Sequence, residues 1–405
     1  MATGATQASA ETASHLDQAW LADLVERLAS IHRPSASQGE RRAAEWLLGR
    51  LRELGADGGI EAEEVHGTFW WPLGIAAGAG AVAGIAALRG MRTLGAGLSA
   101  GAAAAIADEV PPRRRRLRAL LPRRRAFNVV AEAGAAEAER TVVLVAHHDA
   151  AHSGLLFHPA IPRTLARVAP RVMKRANTSP PLFAPVVGGP LAVAAGALSG
   201  QRWLTWLGTV LSTGSAAAFA DIGSRDAVPG ANDNATGVAA LIAIARALAE
   251  RPTENLRVLL VSTSEEALCE GMQAFAERHF DQLPPERTFF LCIDTVGSPH
   301  LLVLRGEGMM GMREYPAEAL ELLDGVAEEL GIWLFPDLRL RNATDGIFPL
   351  AAGYQCASLC SCTDLKQPAN YHWPTDTPDR VDYGTLADAV RLTEAVVRRL
   401  DREWL

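Results

Sequence analysis

The sequence predicts a three-layer α/β protein, a mostly parallel central sheet with helices on both faces, and three observations predict it. Short apolar runs alternate with helical stretches from about residue 141 to the C-terminus, the pattern of strands joined by crossover helices. Several of these runs end on histidine or carboxylate residues, where an α/β sheet presents side chains to a ligand crevice. The 405 residues suffice for one large α/β domain with insertions, assigned here to 15–405.

Taken in order, residues 1–14 are small and polar without an apolar core segment, so they are expected to be disordered and to carry no cleavable signal, which starts the chain in the cytoplasm. Residues 15–55 read as two amphipathic outer helices separated by Arg33-Pro34-Ser35. The second opens with Ser37 and Glu40 at capping-box spacing, ahead of Ala44, Leu47, Leu48 and Leu51. Strands are expected at 141–146, 256–262, 288–293 and 301–304, and helices at 235–249, 316–330 and 383–404.

Two stretches, 70–107 and 182–220, depart from this alternation: Ala, Gly, Leu and Ile dominate them, each broken once by basic or polar residues at a turn. Each is long enough for an apolar helical hairpin with helices of roughly 15 to 20 residues, near the lower limit for crossing a bilayer. Trp70, Trp71, Trp203 and Trp206 stand at positions suited to a membrane interface. Gly74 with Gly78, Gly80 with Gly84, and Gly97 with Gly101 repeat the spacing that lets helices approach closely. The basic residues Arg113 to Arg116, Arg118, Arg123 to Arg125, Arg163, Arg167, Arg171, Lys174 and Arg175 lie between the two stretches and would keep that side, with the catalytic domain, in the cytoplasm. The competing expectation is a soluble protein, with the apolar helices buried or forming a homo-oligomer interface.

A net charge of −7 offers no broad basic face and excludes nucleic acid as the expected partner. The five cysteines, Cys269, Cys292, Cys356, Cys360 and Cys362, form neither an even framework nor paired CxxC zinc ligands, and are expected reduced and buried.

The chemistry-bearing residues are His147-His148-Asp149, Asp233-Asn234, Glu265-Glu266, Asp294 and Tyr371-His372. Imidazole and carboxylate suit zinc, and two zinc ions roughly 3.5 to 4 Å apart clamp an attacking water and a polarised carbonyl. Such a pair needs a bridging carboxylate. Asp233 is the candidate, in a glycine-containing turn feeding a helix, where an N-cap is the ordinary alternative. His147 closes an apolar strand, and Asp149 is placed to accept from its free ring nitrogen and fix the tautomer, with His148 as spacer. Adjacent carboxylates at a strand end repel unless neutralised, and in an extended chain they diverge. Glu265 is therefore assigned as general base and Glu266 as metal ligand, against the alternative of a solvated acidic loop. Asp294 ends the strand at 288–293, and His372 lies in the loop Tyr371-His372-Trp373-Pro374-Thr375-Asp376.

These segments together resemble the co-catalytic di-zinc aminopeptidases, metallopeptidase family twenty-eight. The matching stretches are Ala146-His147-His148-Asp149, Gly230-Ala231-Asn232-Asp233-Asn234-Ala235-Thr236-Gly237, Glu265-Glu266 with Gly271, Ile293-Asp294 with Gly297, and Tyr371-His372 with Asp376. The resemblance implies a zinc-peptidase fold carrying the two apolar insertions. It also implies one zinc on His147, Asp233 and Asp294 and a second on Glu266, His372 and the shared Asp233. The implied reaction is removal of an N-terminal residue from a peptide with a free N-terminus, Glu265 moving the proton. The chain departs from the family at Thr344-Asp345-Gly346, where relatives often carry Ser-Asp-His, which leaves substrate contacts in that loop open. Alternatives on the same scaffold are glutaminyl cyclisation, a carboxypeptidase-type activity and a catalytically silent membrane-attached binding domain.

Overall fold

A computed structural model describes residues 17–113 and 115–405 of the chain; the expected disordered segment 1–14 and Arg114 lie outside the described residues. Helices α1 (Gln18–Ala29) and α2 (Gln38–Glu53) lead into strand β1 (Asp57–Val65), then α3 (Trp70–Leu88) and α4 (Arg92–Glu109). Strands β2 (Arg124–Gly134) and β3 (Arg140–His147) follow, then α5 (Ala160–Val168), α6 (Pro170–Arg175), α7 (Ala184–Ser199) and α8 (Arg202–Gly223). The remainder is α9 (Thr236–Glu250), β4 (Leu256–Thr263), α10 (Glu270–His279), β5 (Thr288–Ile293), β6 (His300–Val303), β7 (Gly306–Glu307), β8 (Arg313–Glu314), α11 (Ala317–Leu330), β9 (Arg339–Leu340), α12 (Ile347–Ala352), β10 (Gln355–Cys362) and α13 (Tyr383–Arg402).

The main sheet has seven strands in the order β1-β2-β4-β3-β5-β10-β6. Its centre, β4-β3-β5-β10, is parallel, and antiparallel strands finish both edges. The central strands are apolar on both faces because both are covered: Val142, Leu144, Val258, Leu260 and Leu291 pack under α1, α2, α9 and α13, while Val143, Val145, Val261 and Phe290 pack with Phe275 and Met272 of α10. Edge strand β1 is half-exposed and rich in Glu, with Glu61 beside His279 at 3.0 Å and Glu63 beside Arg278 at 2.5 Å; charge of this kind blunts an open edge. At the start of α2, Ser37 Oγ accepts from the N–H groups of Gly39 and Glu40, as its spacing predicts. The Glu40 carboxylate instead turns inward to accept from Phe127 N and Ala36 N.

The insertions carry helices α3, α4, α7 and α8, which pack on one another as a four-helix bundle. The expectation of two membrane hairpins needs correction: among the described residues only α3 is both long and apolar enough to cross a membrane. α7 has 16 residues and an internal proline, Pro190, and the polar Thr205, Ser212 and Ser215 interrupt the apolar character of α8. Close approach is real at part of the predicted glycine pattern. A Cβ on Gly80 would lie 2.9 Å from Pro190, and one on Gly84 would lie 2.0 Å from Thr209 Oγ1, whereas Gly78, Gly97 and Gly101 face open space. At the turn end of the bundle, Arg92 and Arg202 donate to the carbonyls of Ala197 (2.9 Å) and Leu88 (3.0 Å), satisfying helix C-termini.

The opposite end is joined to the sheet layer by buried charge. Arg118 pairs with Glu109 at the end of α4 (2.7 Å) and with Glu270 at the start of α10 (3.0 Å), and donates to the Ala267 carbonyl at 3.0 Å. Glu270 also accepts from the N–H groups of His66 (3.1 Å) and Gly67 (2.7 Å). Burial raises its pKa, but these partners more than offset that and hold it at about 2.

Candidate active site

Because β4, β3, β5 and β10 run parallel, their C-terminal ends open on one edge of the sheet. Strand order then decides the neighbours of His147: β3 lies between β4, which delivers Glu265 and Glu266, and β5, which delivers Asp294. Asp233 arrives from the 231–235 turn ahead of α9, and His372 from the loop after β10.

These side chains converge. His147 Nε2 lies 2.9 Å from Glu265 Oε2, 3.3 Å from Asp233 Oδ1 and 3.7 Å from Asp294 Oδ1. The other oxygen of Asp233 lies 3.2 Å from His372 Nε2, which is 3.4 Å from Glu266 Oε2. Asp233 thus shows one oxygen to His147 and the other to His372. Ligand atoms of His147, Asp233 and Glu266 all lie within 4.8 Å of one another, as do those of His147, Glu265 and Asp294.

The electrostatics mark this as a place for cations. Burial drives Glu265 and Glu266 well above the ordinary carboxylate range, with the negative charges of Asp294 and Asp233 adding to the respective shifts, and burial raises Asp294 as well. Burial opposes charging of His147, but Glu265, Asp149, Asp233 and Asp294 outweigh it and raise that pKa far above the usual imidazole value. His147 Nε2, Asp233 Oδ2, Glu266 Oε1 and Asp294 Oδ1 are buried without a hydrogen bond among the described residues. Buried carboxylates at this density, with imidazole nitrogens aimed between them, fit divalent cations such as zinc.

Asp149 organises the cluster from behind. Its Oδ1 lies 3.2 Å from His147 Nδ1 and accepts from Glu265 N at 2.9 Å, while Oδ2 accepts from Glu266 N at 3.0 Å and from Ser35 Oγ at 2.5 Å. One carboxylate therefore orients His147 and fixes the turn that aims both glutamates. His148 points elsewhere: its Nδ1 meets Ser262 Oγ at 2.9 Å, and burial lowers its pKa to about 4.

Other groups at the site were given no role by the sequence. Arg33, fully buried, donates to the carbonyls of His148 (2.8 Å), Pro229 (2.6 Å) and Gly230 (2.7 Å), tying the His147 strand end to the Asp233 turn. The sequence shows only an arginine before a proline between two helices. Asp376 accepts from the backbone N–H groups of Asn232 (2.8 Å) and Asp233 (3.1 Å), and Asn234 bridges to Ile293 O (2.9 Å) and Thr295 N (3.0 Å). Asp345, in the loop that departs from the family pattern, is buried beside Thr263 and forms a third acidic group with Glu265 and Cys269.

The cluster lines one side of a cleft whose other wall is apolar and built largely by the bundle: Phe69, Leu73, Phe183, Val186, Phe219 and Ile222. The Phe157 ring stands edge-on to His372 at 4.6 Å, and Tyr371 stacks on the same imidazole at 3.8 Å. All five cysteines are buried and free.

No curated protein sequence matches the chain. Solved structures that share its fold include two peptidases and a glutaminyl cyclase. An aminopeptidase from Aneurinibacillus sp. strain AM-1 is 13% identical with a TM-score of 0.57, covering 95% of this chain and 94% of its own. A Zn-dependent exopeptidase from Parabacteroides distasonis is 12% identical with a TM-score of 0.55, covering 94% and 98%. A glutaminyl cyclase from Tannerella forsythia is 16% identical with a TM-score of 0.56, again covering 94% and 98%. The family model described as Peptidase family M28 matches residues 216–397, the segment that carries Asp233, Glu265, Glu266, Asp294 and His372.

Proposed function

We propose that the chain is a zinc-dependent aminopeptidase that removes the first residue from peptides with a free N-terminus. The carrying observation is the two-sided placement of Asp233 between the His147 and His372 groups, and the match to peptidase family M28 supports it. His147, Asp233 and Asp294 would hold one zinc ion, and Glu266, His372 and Asp233 the other. Such a pair, when bound, polarises the scissile carbonyl and acidifies the attacking water. Glu265 takes the proton from that water and hands it to the leaving amine, and Asp149 keeps His147 and Glu265 in register. The C–N bond breaks, the acyl carbon gains the hydroxyl, and no side-chain nucleophile is required.

Anchoring belongs to the same proposal. The bundle meets the membrane through α3, with Trp71, Trp203 and Trp206 exposed for the interface. The catalytic domain then faces the cytoplasm, on the side of the basic segments.

Elemental analysis of the purified protein, with hydrolysis of free and N-terminally blocked peptides before and after chelation, tests the reading. The expected result is two zinc ions per chain and chelator-sensitive release from free N-termini alone. Cyclisation of N-terminal glutamine without release of an amino acid would replace it with the glutaminyl cyclase reading. A Glu265→Gln variant is expected to keep its metal while turnover falls by roughly 10²- to 10⁴-fold; unchanged turnover in metal-loaded protein removes Glu265 from the mechanism.

A further inference from the structure

Between the strand end that carries His147 and the bundle helix α7 lies a segment that the proposed chemistry does not use. Helix α5 exposes Ile161, Leu165 and Val168, spaced i, i+4, i+7 on one face, with Val168 74% exposed; Val172 of α6 is 66% exposed. Arg163 and Arg167 occupy a second exposed face of α5, and α6 adds Arg171, Lys174 and Arg175. None of these five basic side chains has an acidic partner among the described residues, and no Asp or Glu occurs between Asp149 and Asp221.

Four neighbouring apolar side chains left in water beside five unneutralised cations are unfavourable for a surface that stays in solvent. They suit the boundary of a lipid layer, where apolar groups enter the acyl region and basic ones meet phosphates. Position agrees. Leu155 N donates to Asp221 at the end of α8 (2.6 Å), and Trp70, at the start of α3, packs on His152 at 4.4 Å. The segment therefore leaves from the end of the bundle that meets the catalytic domain, where an interface would run.

We infer that α5 and α6 form a docking element for an anionic lipid surface at the mouth of the active-site cleft. The inference rests on the membrane placement proposed above for where the bilayer lies. The element is tied to the site at both ends: Phe157 stands against His372, and Ser179 and Phe183 line the cleft. Lys366 Nζ, in the loop leading to His372, donates to Met173 O at 2.8 Å, tying α6 to that loop. The cleft then opens at the membrane surface, towards peptides held there.

Full-length protein carrying an environment-sensitive label at Val168→Cys is reconstituted with vesicles of phosphatidylcholine alone or with one third phosphatidylglycerol, each containing a chain-borne quencher. The buried native cysteines leave the new thiol as the reactive one. Quenching at this site is expected to be several-fold stronger with phosphatidylglycerol and to fall to the neutral-lipid level in R163Q/R167Q/R171Q. Each basic side chain at an anionic surface strengthens binding by roughly fivefold. Quenching that is absent, or equal in both lipids and in the variant, overturns the inference. A label at Val82→Cys, exposed midway along α3, reports separately: quenched in both lipids it supports the membrane placement whatever Val168 shows, and unquenched it defeats that placement alone.

Discussion

The strand-end cluster and the inserted bundle are built on opposite principles. At the cluster the backbone around three of the elements is held by named side chains: Asp149 fixes the glutamates, Arg33 and Asp376 fix the Asp233 turn, and Asn234 fixes the end of β5. The bundle has few such bonds and is held by the close approach of small residues, Gly80 to Pro190 and Gly84 to Thr209. The first arrangement fixes the direction of individual side chains, as the proposed metal chemistry requires; the second fixes only shape. Substitutions at the cluster should abolish function while the fold survives, and substitutions in the bundle should lower stability while turnover survives.

The sharpest way to break that contrast is Asp233→Ala. Because both proposed metal positions share this carboxylate, the variant is expected to lose both ions and to fall by about 10⁴-fold or more in turnover, with little change in its thermal midpoint. Elemental analysis beside a melting curve reads both. Full two-metal occupancy would remove Asp233 as the bridge.

The same contrast explains what the sequence made legible. His147, Glu265, Glu266 and Asp294 stood out as candidates because strand ends are fixed by local apolar runs, and parallel strand order then brings those ends together; Asp233, in a turn, and His372, in a loop, stood out only as members of the whole motif set. Strands β1, β2 and β10 were not. β1 is Glu-rich edge, β2 begins in an arginine run, and β10 reads Gln-Cys-Ala-Ser-Leu-Cys-Ser-Cys, without the β-branched residues that announce a strand. The roles of Arg33 and of Asp376, itself part of the matching motif, were hidden for a different reason: they are hydrogen bonds to backbone across 196 and 144 positions of chain, which no local pattern carries. In the bundle the glycine spacing overstated the packing, since Gly97 and Gly101 have the same spacing as Gly80 and Gly84 and face open space.

Arg118 is where the two regions meet, and removing it should couple them. Arg118→Ala leaves Glu109 and Glu270 buried without their cation, a loss of about 3 to 5 kcal/mol in unfolding free energy. Denaturant unfolding measures it, and a loss below 1 kcal/mol would show the network to be dispensable. Acid probes the same joint. Glu270 sits at about 2 in the fold against an ordinary 4.5, so its contribution of about 3 kcal/mol is complete above pH 4.5 and disappears as pH falls towards 2. The Arg118→Ala variant should show a weaker acid dependence across that window.

A smaller effect is expected behind the metals. Asp149→Asn keeps the size of the side chain but presents an amide where His147 and two backbone N–H groups find carboxylate oxygens. Metal affinity or turnover should drop by roughly 10- to 100-fold, the usual cost of disturbing a group that orients a ligand. A titration of the apo-protein with zinc separates the two. An unchanged affinity and rate would leave Asp149 as a purely structural support.

The mildest change is the most informative about the bundle. Gly84→Ala places a methyl group 2.0 Å from Thr209 Oγ1, a clash that a side-chain rotation or a small helix shift relieves. The expected loss is about 1 to 2 kcal/mol of stability, with turnover on a short soluble peptide unchanged, because α3 and α8 meet here far from His147. If turnover falls as well, the displacement has reached Leu73 and Phe219, which sit on the same two helices and face the cleft. The bundle would then be part of the substrate wall in a working sense, and its looser packing would set how tightly that wall closes.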